Sequence, residues 1–139
     1  MNYTKGTQAL EAKNYAEAIP YLEKAVQEDP SMARNHNNLA AAYFEVGRVR
    51  DGWPYTRKAV LMEPCSDVFL ANFRRYVKAL IKEHVIEEGL SEDEVRTRLG
   101  PPDGTQQTSE CAYWQYGGTA LCLKTGHVAG INDMIRQCR

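Results

Sequence analysis

Pro20-Tyr21-Leu22-Glu23-Lys24-Ala25-Val26-Gln27-Glu28-Asp29-Pro30 and Pro54-Tyr55-Thr56-Arg57-Lys58-Ala59-Val60-Leu61-Met62-Glu63-Pro64 are two versions of one stretch, set 34 residues apart. Pro, Tyr, Lys, Ala, Val and Pro recur at matching positions, and Asp29-Pro30 falls on Glu63-Pro64. Outside the stretch, Gly6 overlays on Ala40 and Ala18 on Gly52. A repeat of this length with small residues at fixed points specifies stacked helical hairpins.

The local patterning agrees. Residues 3–13 and 16–28 carry apolar or small side chains at helical spacing, with Ala9, Leu10, Ala16, Ile19, Leu22 and Val26 on one face. Residues 33–46 and 50–62 repeat the scheme with Leu39, Tyr43, Phe44, Trp53, Val60 and Leu61. Pro30 and Pro64 end the second helix of each pair, because the residue before a proline is pushed out of the helical region. Gly6, Ala18 and Ala25, then Ala40, Gly52 and Ala59, are expected where helices cross, since packed axes lie only ~8–10 Å apart. Pro20 and Pro54 each sit about one turn into a helix, so those helices are expected to start late or bend there.

With Tyr15, Ala18, Leu22, Ala25 and Pro30, then Asn38-Leu39-Ala40, Tyr43, Gly47, Ala59 and Pro64, the first 64 residues resemble the tetratricopeptide repeats. Residues 66–84 look like the first helix of a third unit, with Val68, Phe69, Phe73, Val77, Leu80 and Ile81 as its buried side. That helix is expected to cap the open end of the stack. The resemblance implies a module that binds a protein or peptide in a concave groove lined by the first helix of each unit. By register the groove positions are Tyr3, Thr7 and Glu11; Arg34, Asn37, Asn38, Ala41 and Glu45; and Ala71, Asn72 and Arg75. Asn38 and Asn72 stand out because a side-chain amide both donates and accepts, and so can hold a peptide unit whatever its side chain. Arg34 and Arg75 would attract an acidic residue. The subclass that grips a terminal carboxylate uses cations where this chain has Tyr3, Val68 and Asn72, so the resemblance does not extend to that specialisation.

Composition changes after about residue 86. Ser91 followed by Glu94 is a capping box opening a short helix over 91–99, with Glu92, Asp93 and Glu94 favouring its N-terminus. Gly100 and Pro101 stop it. The period then becomes two, with Ala112, Trp114 and Tyr116, then Leu121 and Leu123, then Val128 and Ile131. Turn signals at Gly117-Gly118 and Thr125-Gly126-His127 predict a three-stranded antiparallel meander near 110–116, 119–125 and 127–132. Asn132 to Arg139 could be strand or a helical turn. The expected architecture is therefore mainly α: residues 1–86 form two hairpins plus a capping helix, and residues 87–139 form a small α+β module.

The string Gly89-Leu90-Ser91-x-x-Glu94-Val95-x-x-x-Leu99-Gly100-x-Pro102-Asp103, with Trp114-x-Tyr116 and Leu121-x-Leu123-x-x-Gly126-x-Val128, resembles the SmpA/OmlA (BamE-like) domain. That resemblance implies a bacterial envelope scaffold in which the long helix at 66–86 supplies the usual second helix and shares a core with the sheet. A contact role for that module would expose Tyr113, Trp114 and Tyr116 on one face.

The chain has 139 residues and a net charge of -1, with acidic and basic residues interspersed. There is no basic stripe to track a phosphate backbone, which disfavours nucleic acid. No apolar run approaches a membrane span. The N-terminus lacks the apolar core of a signal peptide, so the chain as it stands reads as cytoplasmic, and as periplasmic or envelope-resident if an export signal was removed.

Cysteines stand at 65, 111, 122 and 138 without a Cys-x-x-Cys pair. The default reading is small core hydrophobes; the alternative, in an exported chain, is a Cys111–Cys122 disulfide. A four-residue loop at 115–118 would set that pair opposite, and a two-residue loop diagonal but on the same face.

His36, His84 and His127 have no metal spacing; His36 is read as groove or surface, His84 as complementing a helix C-terminus, and His127 as exposed. No nucleotide-binding or serine-nucleophile string occurs, the acidic clusters are explained by capping, and Trp53 and Trp114 read as core. The expectation is a non-catalytic module with no metal and no cofactor, binding a protein or peptide, with self-association through the first helix left open. An envelope scaffold and a cysteine-dependent enzyme are the rivals.

Overall fold

In the computed structural model, which describes residues 2–133, the chain forms two compact units, Met1–Tyr76 and Val77–Arg139. The first unit holds α1 (Asn2–Glu11), α2 (Tyr15–Glu28), α3 (Ala33–Glu45), α4 (Val49–Met62) and most of α5 (Asp67–Lys82). Successive helices pack as neighbours, α1 on α2, α2 on α3 and α3 on α4.

The small residues lie where the repeat required them. A β-carbon on Gly6 would stand 2.7 Å from Leu22 Cδ2, and Ala18, Ala40 and Ala59 are completely buried. Gly52 is the tightest point. A β-carbon there would overlap the Tyr76 hydroxyl oxygen and lie 2.8 Å from Tyr76 Cζ and 3.0 Å from Tyr43 Cβ. Tyr76 is wholly buried and donates its hydroxyl to the Ala40 carbonyl, while Phe44 meets its ring edge-on at 5.2 Å. Burial pushes the Tyr76 phenol well above its usual range. Trp53 stacks on Phe73 at 5.6 Å, which carries the core from α4 to α5.

Some helix faces differ from expectation. Pro20 and Pro54 neither delay nor end their helices, which begin at Tyr15 and Val49. Each proline is the sixth helical residue and is exposed, so its ring faces water and not a packed neighbour. On α5 the buried side is Phe69, Leu70, Phe73, Tyr76 and Leu80. Val68 is 69% exposed and Ile81 40%, contrary to the sequence reading, because the buried stripe follows Tyr76 and not the purely aliphatic positions. Leu61 is likewise 46% exposed, and Ala16 is exposed.

The second unit contains α6 (Glu92–Leu99) and four strands: β1 (Gly104–Gln107), β2 (Ala112–Tyr116), β3 (Thr119–Lys124) and β4 (His127–Asp133). All pair antiparallel in sequence order. Among the described residues the sheet has four strands and not the three expected. The extra one, Gly104-Thr105-Gln106-Gln107, has no apolar residue and so no period-two pattern to betray it. Asn132 and Asp133 belong to β4; the rest of the uncertain C-terminal stretch lies outside the described residues.

Val95 and Leu99 of α6 are buried, as are Trp114, Tyr116, Leu121 and Leu123, which alternation places on one face of the sheet. Arg96 lies over the Trp114 ring at 4.5 Å. The β2–β3 loop has two residues, so Tyr113 pairs with Cys122 and Cys111 lies diagonal to it. Cys111 and Cys122 are joined by a disulfide with their Cα atoms 5.3 Å apart. The two side chains are not the separate core thiols of the default reading, because the diagonal placement brings them within bonding range on one face.

The capping box at the start of α6 is complete. The Glu94 amide donates to Ser91 Oγ at 3.2 Å and the Ser91 amide to Glu94 Oε1 at 3.3 Å. The hydrogen bond from the Ser91 backbone holds the Glu94 carboxyl below its ordinary range. A carboxyl depressed by folding contributes stability above its unfolded pKa, and loses it as pH falls through the folded value. Ser91→Ala removes the hydroxyl but keeps the backbone amide, so in an NMR titration the Glu94 pKa should rise only in part and stay below that of a free glutamate, while the lost N-cap costs about 1 kcal/mol of stability at neutral pH. Gly52→Ala should destabilise the first unit by about 1–3 kcal/mol in urea melts, the range for an overpacked core. Pairing it with Tyr76→Phe should recover part of the loss, since the overlapping oxygen is then gone.

Candidate functional site

The groove positions named from the sequence fall on α1, α3 and α5, and side-chain contacts join these helices in order. The Arg34 guanidinium lies over the Tyr3 ring at 4.7 Å, linking α3 to α1. Asn72 Nδ2 donates to Asn37 Oδ1 at 3.1 Å, linking α5 to α3. Arg75 Nη2 meets Glu45 Oε1 at 2.7 Å and its guanidinium lies over Phe44 at 4.3 Å, making a second link between the same helices. The first helix of each hairpin thus stands beside the next.

The positions are not equivalent. Asn37 and Asn72 are buried, and Asn72 Nδ2 is spent on the Asn37 carboxamide oxygen. Asn72 also reaches the Asn37 carbonyl at 3.5 Å, while its own Oδ1 is buried with no hydrogen-bond partner among the described residues. Thr7 Oγ1 is in the same condition. Asn38 is half-buried, and Arg34, Glu45, Ala71 and Arg75 are exposed. Of the two asparagines singled out from sequence, Asn38 is the one with solvent access. Asn72 acts first as a strut between helices.

His36 belongs to the interior and not to the groove or surface. It is buried, its Nε2–H donates to the Pro30 carbonyl at 2.8 Å, and its ring stacks on Tyr55 at 6.1 Å. Its neighbour Asn35, not singled out from sequence, is also buried and donates from Nδ2 to the carbonyls of Ala25 at 3.2 Å and Asp29 at 3.4 Å. Together they tie the start of α3 to the end of α2 and so fix the groove's first joint. The signal was available in the polar run Asn35-His36-Asn37-Asn38. Such a run on a helix with apolar partners must bury some members, and those must bond main chain.

Around this joint Tyr43 is buried too. Burial, reinforced by the nearby Glu23 carboxylate, pushes its phenol up to about 12. His84 is exposed and pairs with Glu87 at 3.1 Å, and His127 is exposed. Trp114 and Tyr116 are buried and Tyr113 lies on the opposite face of β2, so these aromatics do not form one exposed contact surface. Cys111 and Cys122, being disulfide-linked and buried, offer no thiolate. Among the described residues no cluster of His, Cys, Asp and Glu could hold a metal ion, and no helix is long and apolar enough to cross a membrane.

The architecture is that of an α-helical hairpin repeat followed by a small antiparallel sheet. A family model described as Tetratricopeptide repeat matches residues 9–52, from the last turn of α1 to the first turn of α4. No curated protein matches the chain. Such repeats are generally non-catalytic and act in protein interaction or scaffolding.

Because Asn72 is buried and bonded whereas Asn38 is partly open, their alanine variants should separate. Asn72→Ala should cost about 1–3 kcal/mol in chemical denaturation, by leaving the Asn37 carboxamide oxygen without its donor. Asn38→Ala should stay within about 0.5 kcal/mol of the parent protein.

Proposed function

We propose that the first unit is a non-catalytic protein-interaction module that takes an extended peptide in the groove along α1, α3 and α5. The observation that carries this reading is the ordered series of contacts Tyr3–Arg34, Asn37–Asn72 and Glu45–Arg75, which lines up the groove positions of three successive first helices. Asn38 holds a backbone amide of the ligand. Arg34 and Arg75 meet acidic side chains, with Arg75 exchanging its exposed partner Glu45. That exchange costs little, because an ion pair half in water contributes about 0–1 kcal/mol. The buried pair Asn37–Asn72 keeps the helices in place beneath the ligand.

The second unit is read as a scaffold of the SmpA/OmlA-like kind, from the string Gly89-Leu90-Ser91 through Asp103. Its buried Trp114 and Tyr116 argue against an aromatic contact surface on it. A bacterial source and an envelope setting belong to the same reading.

The test is capture of partners by immobilised full-length protein, comparing the parent with Asn38→Ala and Arg34→Ala, each verified as folded by its melting curve. A partner recovered by the parent should be lost or reduced about tenfold with both variants. Equal recovery by folded variants would remove the groove from the explanation.

A further inference from the structure

The sheet of the second unit has two unlike edges. The outer side of β4 is met by the chain itself: the Gly89 amide donates to the Val128 carbonyl at 2.7 Å, the Val128 amide to the Leu90 carbonyl at 2.8 Å, and Ser91 bridges His127. β1 has no strand on its outer side among the described residues. Natural edges are usually blunted with charges, prolines or bulges. From Gly104 to Ser109 the chain has neither charge nor proline. The acid just before the strand is turned inward, with the Asp103 amide donating to the Gln115 carbonyl at 2.7 Å and Asp103 Oδ2 accepting the Gly117 amide at 2.6 Å.

Both ends of β1 are also fixed. At the far end Thr108 Oγ1 accepts the amides of Glu110 and Cys111, and Gln107 Nε2 donates to the carbonyls of Thr108 and Cys111. A preformed edge reduces the ordering cost of adding another strand.

The hydrogen-bonding parity fixes what can be added. The Thr108 amide donates to the Cys111 carbonyl, and bonding direction alternates along a strand, so the amides of Gly104 and Gln106 point to β2 while those of Thr105 and Gln107 point out. We propose that this edge pairs with the same edge of a second copy of the chain, antiparallel, about a two-fold axis at Gln106. In that register Thr105 of each copy exchanges both main-chain bonds with Gln107 of the other. Gln106 faces Gln106 in the closer, non-hydrogen-bonded pair, where two side-chain amides can bond each other. Asp103 stands opposite Ser109 and Glu110 opposite Pro102, so no acid faces an acid and proline ends the ladder at both sides. The partly covered β4 edge leaves the symmetric pairing as the closed arrangement. The net charge of -1 per chain adds little repulsion. So short an interface lies below the standard size for stable complexes, and the dimer is weak and concentration-dependent.

The test is sedimentation of the full chain from ~10 µM to ~1 mM, a range that suits weak association. The parent should move from monomer towards dimer, with the Thr105 and Gln107 amides gaining protection from hydrogen exchange as it does. Gln106→Lys and Gln106→Glu change an exposed side chain and so spare the fold. Each alone should weaken dimerisation by about tenfold or more, because like charges meet at the axis. Their equimolar mixture should restore a heterodimer that high salt weakens. A parent that stays monomeric throughout overturns the proposal, including the case in which the edge is protected only by some other extended peptide. So does a dimer indifferent to both single variants, or a mixture that fails to recover.

Discussion

The close approach of the Tyr76 phenol to Gly52, where no side chain stands, is the constraint on which the first unit depends. Because no side chain intervenes there, Tyr76 can reach across with its ring on Phe44 and its hydroxyl on the Ala40 carbonyl. One buried phenol thereby ties α5 to both helices of the hairpin before it. Gly6 against Leu22 does the same for the first hairpin with apolar surface alone. Both contacts follow from the size of one residue, and the order of α1, α3 and α5 along the groove follows from them.

Most of the helical architecture was legible in the sequence, because the repeat stated it twice. The helix ends, the small-residue crossings and the capping box at Ser91 rest on local rules that a single chain displays. The missing strand β1 had no such statement: its residues are polar on both faces, and it exists because β2 offers hydrogen-bonding partners. The face of α5 was misjudged at Val68 and Ile81 for a related reason. Aliphatic character suggested burial, while the aromatic Tyr76, capable of filling the space over Gly52, set the actual stripe.

Register assigned the groove positions from the sequence, but it could not separate Asn72, which braces, from Asn38, which is partly open. Nor could it show that the groove's cations already hold partners, Arg34 on an aromatic face and Arg75 on a carboxylate. On the proposed reading, a ligand at these positions displaces existing contacts. Selectivity then comes from how well the ligand replaces them, and total charge decides less.

The joint between the hairpins has one further consequence. Asn35 and His36 grip the carbonyls of Ala25, Asp29 and Pro30, and the second hairpin carries main-chain carbonyls in the same register at Ala59, Glu63 and Pro64. There the chain continues with Phe69 and Leu70, which fill the space with hydrocarbon. The polar part of that coupling thus reads main-chain oxygens, beside the apolar packing of Ile19 and Leu22 against Leu39 and Tyr43. The two joints therefore differ in chemistry: an amide and an imidazole on main-chain oxygens secure the first, and buried hydrocarbon stands at the corresponding places of the second.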